Sequence, residues 1–177
     1  MKHDFKQKLE FSLGSREQFD KDMLLSVIPG CVDVRKTDVE TDKTGVDYIA
    51  TLRKGAEIYI DAKAREPGAR RFWKGGPELA LEKWSVVPTG TNVGKAGWTL
   101  SESTPVDMIL YTFDRSDCDR FFLLPFQFLR MAFIRHIAEW GRKYGWKEQS
   151  SGGWRSMATF VPADVVLDAI AMQMVRE

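Results

Sequence analysis

The sequence predicts an α/β (α+β) domain with a central mixed β-sheet flanked by helices, and three observations predict it. Segments of helical and strand period alternate along the chain, with no internal repeat and no low-complexity tract. A content of 44% hydrophobic and 12% aromatic residues over 177 positions gives enough apolar surface for one core, so residues 1–177 read as a single domain. Two short apolar runs, "GVDYIATL" and "AEIYIDAKA", flank a three-residue loop ending in Gly55, which is the signature of a β-hairpin.

"SREQFDKDMLLSVIPG" opens with Ser15, carries Gln18 as its capping-box partner and stops at Pro29-Gly30, which predicts a helix over 16–28. Phe19, Met23, Leu24 and Val27 form its inner stripe. "CVDVRKT" alternates as a short strand, and the polar "ETDKTG" reads as a loop before the hairpin. "AREPGARRFWKGGP" is rich in Gly, Pro and Arg and reads as a mobile loop with a basic tip. "ELALEKWSVV" and "VDMILYTF" read as strands, the first with a helical alternative, and "GTNVGKAG" between them as loop. "FFLLP" reads as a last central strand ended by Pro125. "FQFLRMAFIRHIAEWGRKYG" carries apolar residues at helical spacing up to Gly145 and is the longest helix. "WRSMATFV" reads as an edge strand, and Pro162 opens a final helix at "ADVVLDAIAMQMV".

Lys and Arg number 26 against 25 Asp and Glu, so a charged partner must be met by a local patch and not by a global field. Cys31 and Cys118 are far apart and lack metal-ligand neighbours, which predicts free, buried thiols in a reducing compartment. "MKHDFKQKLEF" lacks the apolar core of a signal peptide and no run reaches the roughly 18 residues of a membrane span, so the expected location is cytoplasmic, away from membranes. No phosphate-cradling GxxxxGK[ST] is present, and His136 lacks the neighbours of a catalytic triad.

The loop Arg53-Lys54-Gly55 places Leu52 opposite Ala56, and counting back pairs Ile49 with Tyr59 and Asp47 with Asp61. Val46, Tyr48, Ala50 and Leu52 then share an apolar face with Ile58, Ile60 and Ala62. On the other face lie Asp47, Asp61 and Lys63, the last two about 6 to 7 Å apart at a strand rise near 3.3 Å. Carboxylates directly opposite each other in a sheet repel. A divalent cation relieves that repulsion, and an all-oxygen site suits Mg²⁺ or Mn²⁺ better than zinc. A nearby lysine supplies positive charge where negative charge develops in phosphodiester cleavage.

"GVDY" followed after a hairpin by "IYIDAKAR" resembles the bipartite motif of the PD-(D/E)XK nuclease superfamily, which includes restriction endonucleases, junction resolvases and phage nucleases. Gly45-Val46 stands where the motif has proline, and the second acid is Asp. The resemblance covers roughly the first 90 residues and implies a restriction endonuclease-like core. It implies a metal-dependent deoxyribonuclease, an endonuclease acting on DNA, with Asp47 and Asp61 as catalytic metal ligands, the Ala62 carbonyl as a third and Lys63 orienting the attacking water. A further acid is expected from Asp20, Glu17 or Glu82. Asp20 lies within about 40° of the helix stripe's centre at 100° per residue. Glu82 shares a face with Glu78.

Arg70, Arg71 and Lys74 interleaved with Phe72 and Trp73 combine phosphate contacts with stacking surfaces, a pattern suited to DNA. Cutting both strands with one site per chain calls for a homodimer. The alternative from another class is a protein that keeps this fold without the activity and reads DNA structure or acts on a partner protein, such as a phage factor.

Overall fold

In a computed structural model of the chain, residues 17–42, 44–65, 67–73, 75–114, 117–118, 120–151 and 154–175 are described, and they form an α+β protein with two sheets. The chain divides into two compact units, residues 1–62 with 105–108, and 63–104 with 109–177.

In the first unit residues 17–27 form helix α1, whose Met23 and Leu24 are buried together with Ile28 just past its end. Strand β1 (Cys31–Lys36) pairs antiparallel with β2 (Tyr48–Leu52), and β2 with β3 (Glu57–Ala64). The observed register joins Ile49 to Tyr59 and Tyr48 to Ile60, as the turn predicts. The Leu52 N–H donates to the Ala56 carbonyl at 2.8 Å, and Gly55 sits at φ 81°, the left-handed conformation that glycine adopts at little cost. The polar loop before β2 holds a four-residue helix, α2 (Val39–Asp42), whose Thr41 N–H is capped by Asp38 at 2.8 Å.

The first sheet has the order β1-β2-β3-β6-β7, where β6 is Met108–Thr112 and β7 is Phe121–Pro125. It is mixed. Asp107 N–H donates to the Tyr59 carbonyl and Arg65 N–H to that of Thr112, so β3 and β6 ascend together. The expectation that Phe121–Pro125 is a central strand is corrected, since β7 ends the strand order. Proline has no N–H for a further ladder, and the chain passes from Pro125 directly into a helix.

The second unit carries the sheet β5-β4-β9-β8, made of β4 (Glu78–Val86), β5 (Lys95–Ala96), β8 (Lys147–Ser151) and β9 (Trp154–Pro162). The helical alternative for Glu78–Val86 is thereby excluded. The reading of "WRSMATFV" as an edge strand is also corrected, because β8 covers it from Lys147↔Ala158 to Ser151↔Trp154. "KEQSS" escaped detection because an edge strand needs no apolar alternation and its polar side chains resist further pairing. Helices α3 (Phe126–Tyr144) and α4 (Ala163–Met174) pack on each other, with Leu129, Phe133, Trp140, Val166 and Ile170 buried. Each such side chain stabilises the fold by about 1.5–3 kcal/mol.

The first half of β4 satisfies part of its backbone through side chains. Ala80 N–H donates to the Tyr111 hydroxyl at 2.8 Å and Glu82 N–H to the Thr99 hydroxyl at 2.9 Å, while Trp84 and Val86 pair with β5. Burial raises the Tyr111 phenol to about 12, with the Ala80 N–H and Arg65 pulling the other way, so the hydroxyl stays protonated at neutral pH. Tyr111→Phe removes the acceptor and leaves the Ala80 N–H orphaned in the interior. The expected loss is about 1–3 kcal/mol, measured as a lower urea midpoint with an unchanged slope.

Candidate active site

Asp47 stands one residue before β2, and three sets of bonds hold it. Its carbonyl accepts the Thr37 N–H at 2.9 Å and the Thr37 hydroxyl at 3.1 Å, and its N–H donates to the Ile60 carbonyl at 2.9 Å. Its carboxylate Oδ2 accepts the Ala62 N–H at 2.7 Å. The last two bonds bracket Asp61, so Asp47 is fastened to β3 on both sides of the second acid. The ladder proper ends at Tyr48↔Ile60. Beyond it the Asp47 carboxylate takes the place of a strand carbonyl, a departure from the simple face-to-face pairing of the two acids. Asp61 itself is buried, at 4% exposure.

The first helix places its two candidate acids differently. Asp20, 1% exposed, accepts the Tyr48 hydroxyl at 3.2 Å. Tyr48 pairs with Ile60, and side chains alternate along β3, so this bond assigns Asp20 to the side of the sheet opposite Asp61. Burial first, then the charge and hydrogen bond of Asp20, raise the Tyr48 phenol far above its ordinary value. Glu17 is ion-paired with Lys21 at 2.7 Å and with Lys36 at 3.7 Å. Its pKa is lowered, chiefly by the hydrogen bond from Lys21.

In the second unit Lys63, two residues after Asp61 on β3 and hence on its side of that strand, brings its ammonium to 5.7 Å from the centre of the Trp98 ring. Glu82 accepts the Trp98 N–H through Oε2 at 3.1 Å. Gly97 lies flush against Glu82, since a Cβ there would stand 2.3 Å from the Glu82 carbonyl oxygen. The Gly97-Trp98-Thr99 turn thus supports Glu82 from outside β4, a role that "GTNVGKAGW" does not announce in sequence. Burial pushes the Glu82 carboxyl above the ordinary carboxylate range, while the Trp98 N–H, Lys63 and Lys95 pull it down.

The basic loop contains a single 3-10 turn, Ala69–Phe72. The Arg71 guanidinium lies 4.7 Å over the ring of Phe72, which is 62% exposed. Trp73 packs edge-on against Phe113, with ring centres 5.3 Å apart. Arg70 is exposed, and Lys74 lies outside the described residues. Cys31 and Cys118 are free, as expected, but only half-buried. Among the described residues no helix is long and apolar enough to cross a membrane.

Asp47, Asp61 and the Ala62 carbonyl offer only hard oxygen donors, a chemistry that suits Mg²⁺ or Mn²⁺ with retained waters and does not suit a thiophilic metal. Among the described residues no three His, Cys, Asp or Glu side chains are grouped as a metal centre, so this set depends on a backbone oxygen. No family model, curated protein or solved structure matches the chain.

The raised Glu82 pKa has a consequence for stability. The folded protein holds this proton more tightly than the unfolded chain, so stability falls as pH rises from the ordinary value of 4.5 through the folded value. Glu82→Gln keeps an acceptor for the Trp98 N–H and removes the buried charge. The variant is expected to melt above the parent at about pH 7 and to lose that advantage as the pH falls towards 4.5, checked by thermal melts across this range.

Proposed function

We propose that the chain is a metal-dependent deoxyribonuclease of the PD-(D/E)XK type, an endonuclease hydrolysing phosphodiester bonds in DNA. The observation that carries this reading is the attachment of Asp47 to β3 on both sides of Asp61, with Lys63 next on the same side of the strand. Asp47, Asp61 and the Ala62 carbonyl would hold Mg²⁺ or Mn²⁺. When bound, the cation supplies charge neutralisation at the scissile phosphate and a more acidic water.

The chain's own residues do the rest. The Ala62 N–H fixes the Asp47 carboxylate, limiting the rearrangement needed to meet a cation. The Lys63 ammonium donates a hydrogen bond that orients the attacking water and places positive charge beside the phosphate. Exposed Arg70, Arg71 and Phe72, with Trp73 and Lys74 in the same loop, suit the DNA backbone and unstacked bases. Cleavage of both strands calls for a homodimer.

That no metal-holding group of three His, Cys, Asp or Glu side chains occurs among the described residues favours a second reading, a fold-alike that binds DNA or a partner protein without cutting. Titration with Mn²⁺ alongside plasmid cleavage separates the two. On the nuclease reading Asp61→Ala abolishes metal uptake and cleavage together. Lys63→Ala retains Mn²⁺ affinity while turnover falls about 10²- to 10³-fold. A parent protein that takes up no Mn²⁺ and leaves plasmid, linear, branched and single-stranded DNA intact refutes it.

A further inference from the structure

The second unit contains an open cavity of about 520 Å³ lined by Arg70, Trp73, Gly75, Pro77, Asp117 and Arg120, with Gly76 and Cys118 completing the wall. Its frame is built from backbone and side-chain bonds. The Ala69 N–H donates to Asp117 Oδ2 at 2.7 Å, tying the 3-10 turn to the segment after Asp114. The N–H groups of Asp117 and Cys118 donate to the Asp114 carbonyl at 2.9 and 3.0 Å, and the Arg120 N–H meets Cys118 Sγ at 3.3 Å. Arg70 and Arg120 are both exposed, so their guanidinium groups are available to a ligand.

The lining is specific in chemistry. Two guanidinium groups favour a phosphate through forked, charge-assisted hydrogen bonds. The Asp117 carboxylate opposes a bare anion and accepts hydrogen bonds from amino or ring N–H groups, as carboxylates do from cytosine. Trp73 supplies an aromatic wall. A ligand that answers all of these carries a phosphate at one end and a flat group with N–H donors at the other. The volume exceeds what inorganic phosphate needs and falls in the range of small-molecule sites.

We propose that this cavity binds a nucleoside monophosphate group, with Arg70 and Arg120 on the phosphate, Asp117 on the N–H donors of the base and Trp73 along its face or edge. The group is either a free nucleotide or the phosphorylated end of a strand. The site shares Arg70 and Trp73 with the loop assigned to DNA, and its occupation needs neither a metal nor Asp47, Asp61 and Lys63.

Isothermal titration of the full chain with dGMP in EDTA tests it, and the absence of divalent cations separates the result from the fate of the nuclease reading. Saturable binding is expected, with inorganic phosphate and deoxyguanosine each at least about tenfold weaker. Arg70→Ala and Arg120→Ala, both at exposed positions, are each expected to weaken dGMP about tenfold. Asp117→Asn, which keeps an acceptor for the Ala69 N–H, is expected to narrow the preference for dGMP over dTMP, whose base has no amino group. Competition with dGMP by a 5′-phosphorylated oligonucleotide but not its 5′-hydroxyl form assigns the strand end, and competition by neither assigns the free nucleotide. Undetectable dGMP binding at millimolar concentration, phosphate binding as tight as dGMP, or an Arg70→Ala/Arg120→Ala double variant that binds like the parent overturns the proposal.

Discussion

The bond from the Leu52 N–H to the Ala56 carbonyl sets the parity on which the first unit depends. A hairpin one residue longer or shorter would move every side chain of β3 to the other face. With the observed closure, Ala50 meets Ile58 and Tyr48 meets Ile60, while Asp61 and Lys63 fall together on the alternate side. Gly55 makes that closure cheap by accepting φ 81°. Asp47 then completes the arrangement by a different device. Where the ladder stops, a side-chain carboxylate accepts the Ala62 N–H, so an acid occupies a place that a backbone carbonyl fills elsewhere in the sheet.

The same substitution of side chain for backbone recurs in β4. Tyr111 and Thr99 hydroxyls receive the Ala80 and Glu82 N–H groups over a stretch that β5 is too short to cover. Hydroxyls are suited to this because they rotate to meet a donor and stay neutral. A carboxylate in the same position carries charge with it. Glu82 shows the cost of that charge directly, its pKa raised by burial despite the Trp98 N–H and two lysines.

Much of the first unit was legible in sequence because turn chemistry is local. Arg53-Lys54-Gly55 specified a register that puts seven apolar side chains, Val46, Tyr48, Ala50, Leu52, Ile58, Ile60 and Ala62, on one face. The α1 stripe was legible for the same reason, and Asp20 stood out as a charge within it. Its partner did not, since nothing near Asp20 in sequence points to Tyr48, 28 positions away. β8 and β5 were invisible because "KEQSS" and "KA" carry no periodic signal, and with β8 unseen β9 was misplaced at an edge. The candidate acids divided along this line. Asp47 and Asp61 followed from local register, whereas the supports of Glu82 come from a turn whose importance lies in Gly97 making room for a close approach.

Charge distribution supplies the last step. With 26 basic against 25 acidic residues the chain has no global field to draw in a polyanion, so affinity for phosphate must come from short-range geometry. Guanidinium groups meet that requirement better than ammonium groups, because a planar fork fixes direction as well as charge. Arg71 over Phe72, and Arg70 with Arg120 at one cavity, place such groups at the surface. On the proposed nuclease reading the lysine of the acid-x-Lys sequence belongs to another logic. A single mobile point charge serves a reacting centre, where the position of negative charge changes as bonds form and break, and a rigid fork would hold only one of those positions.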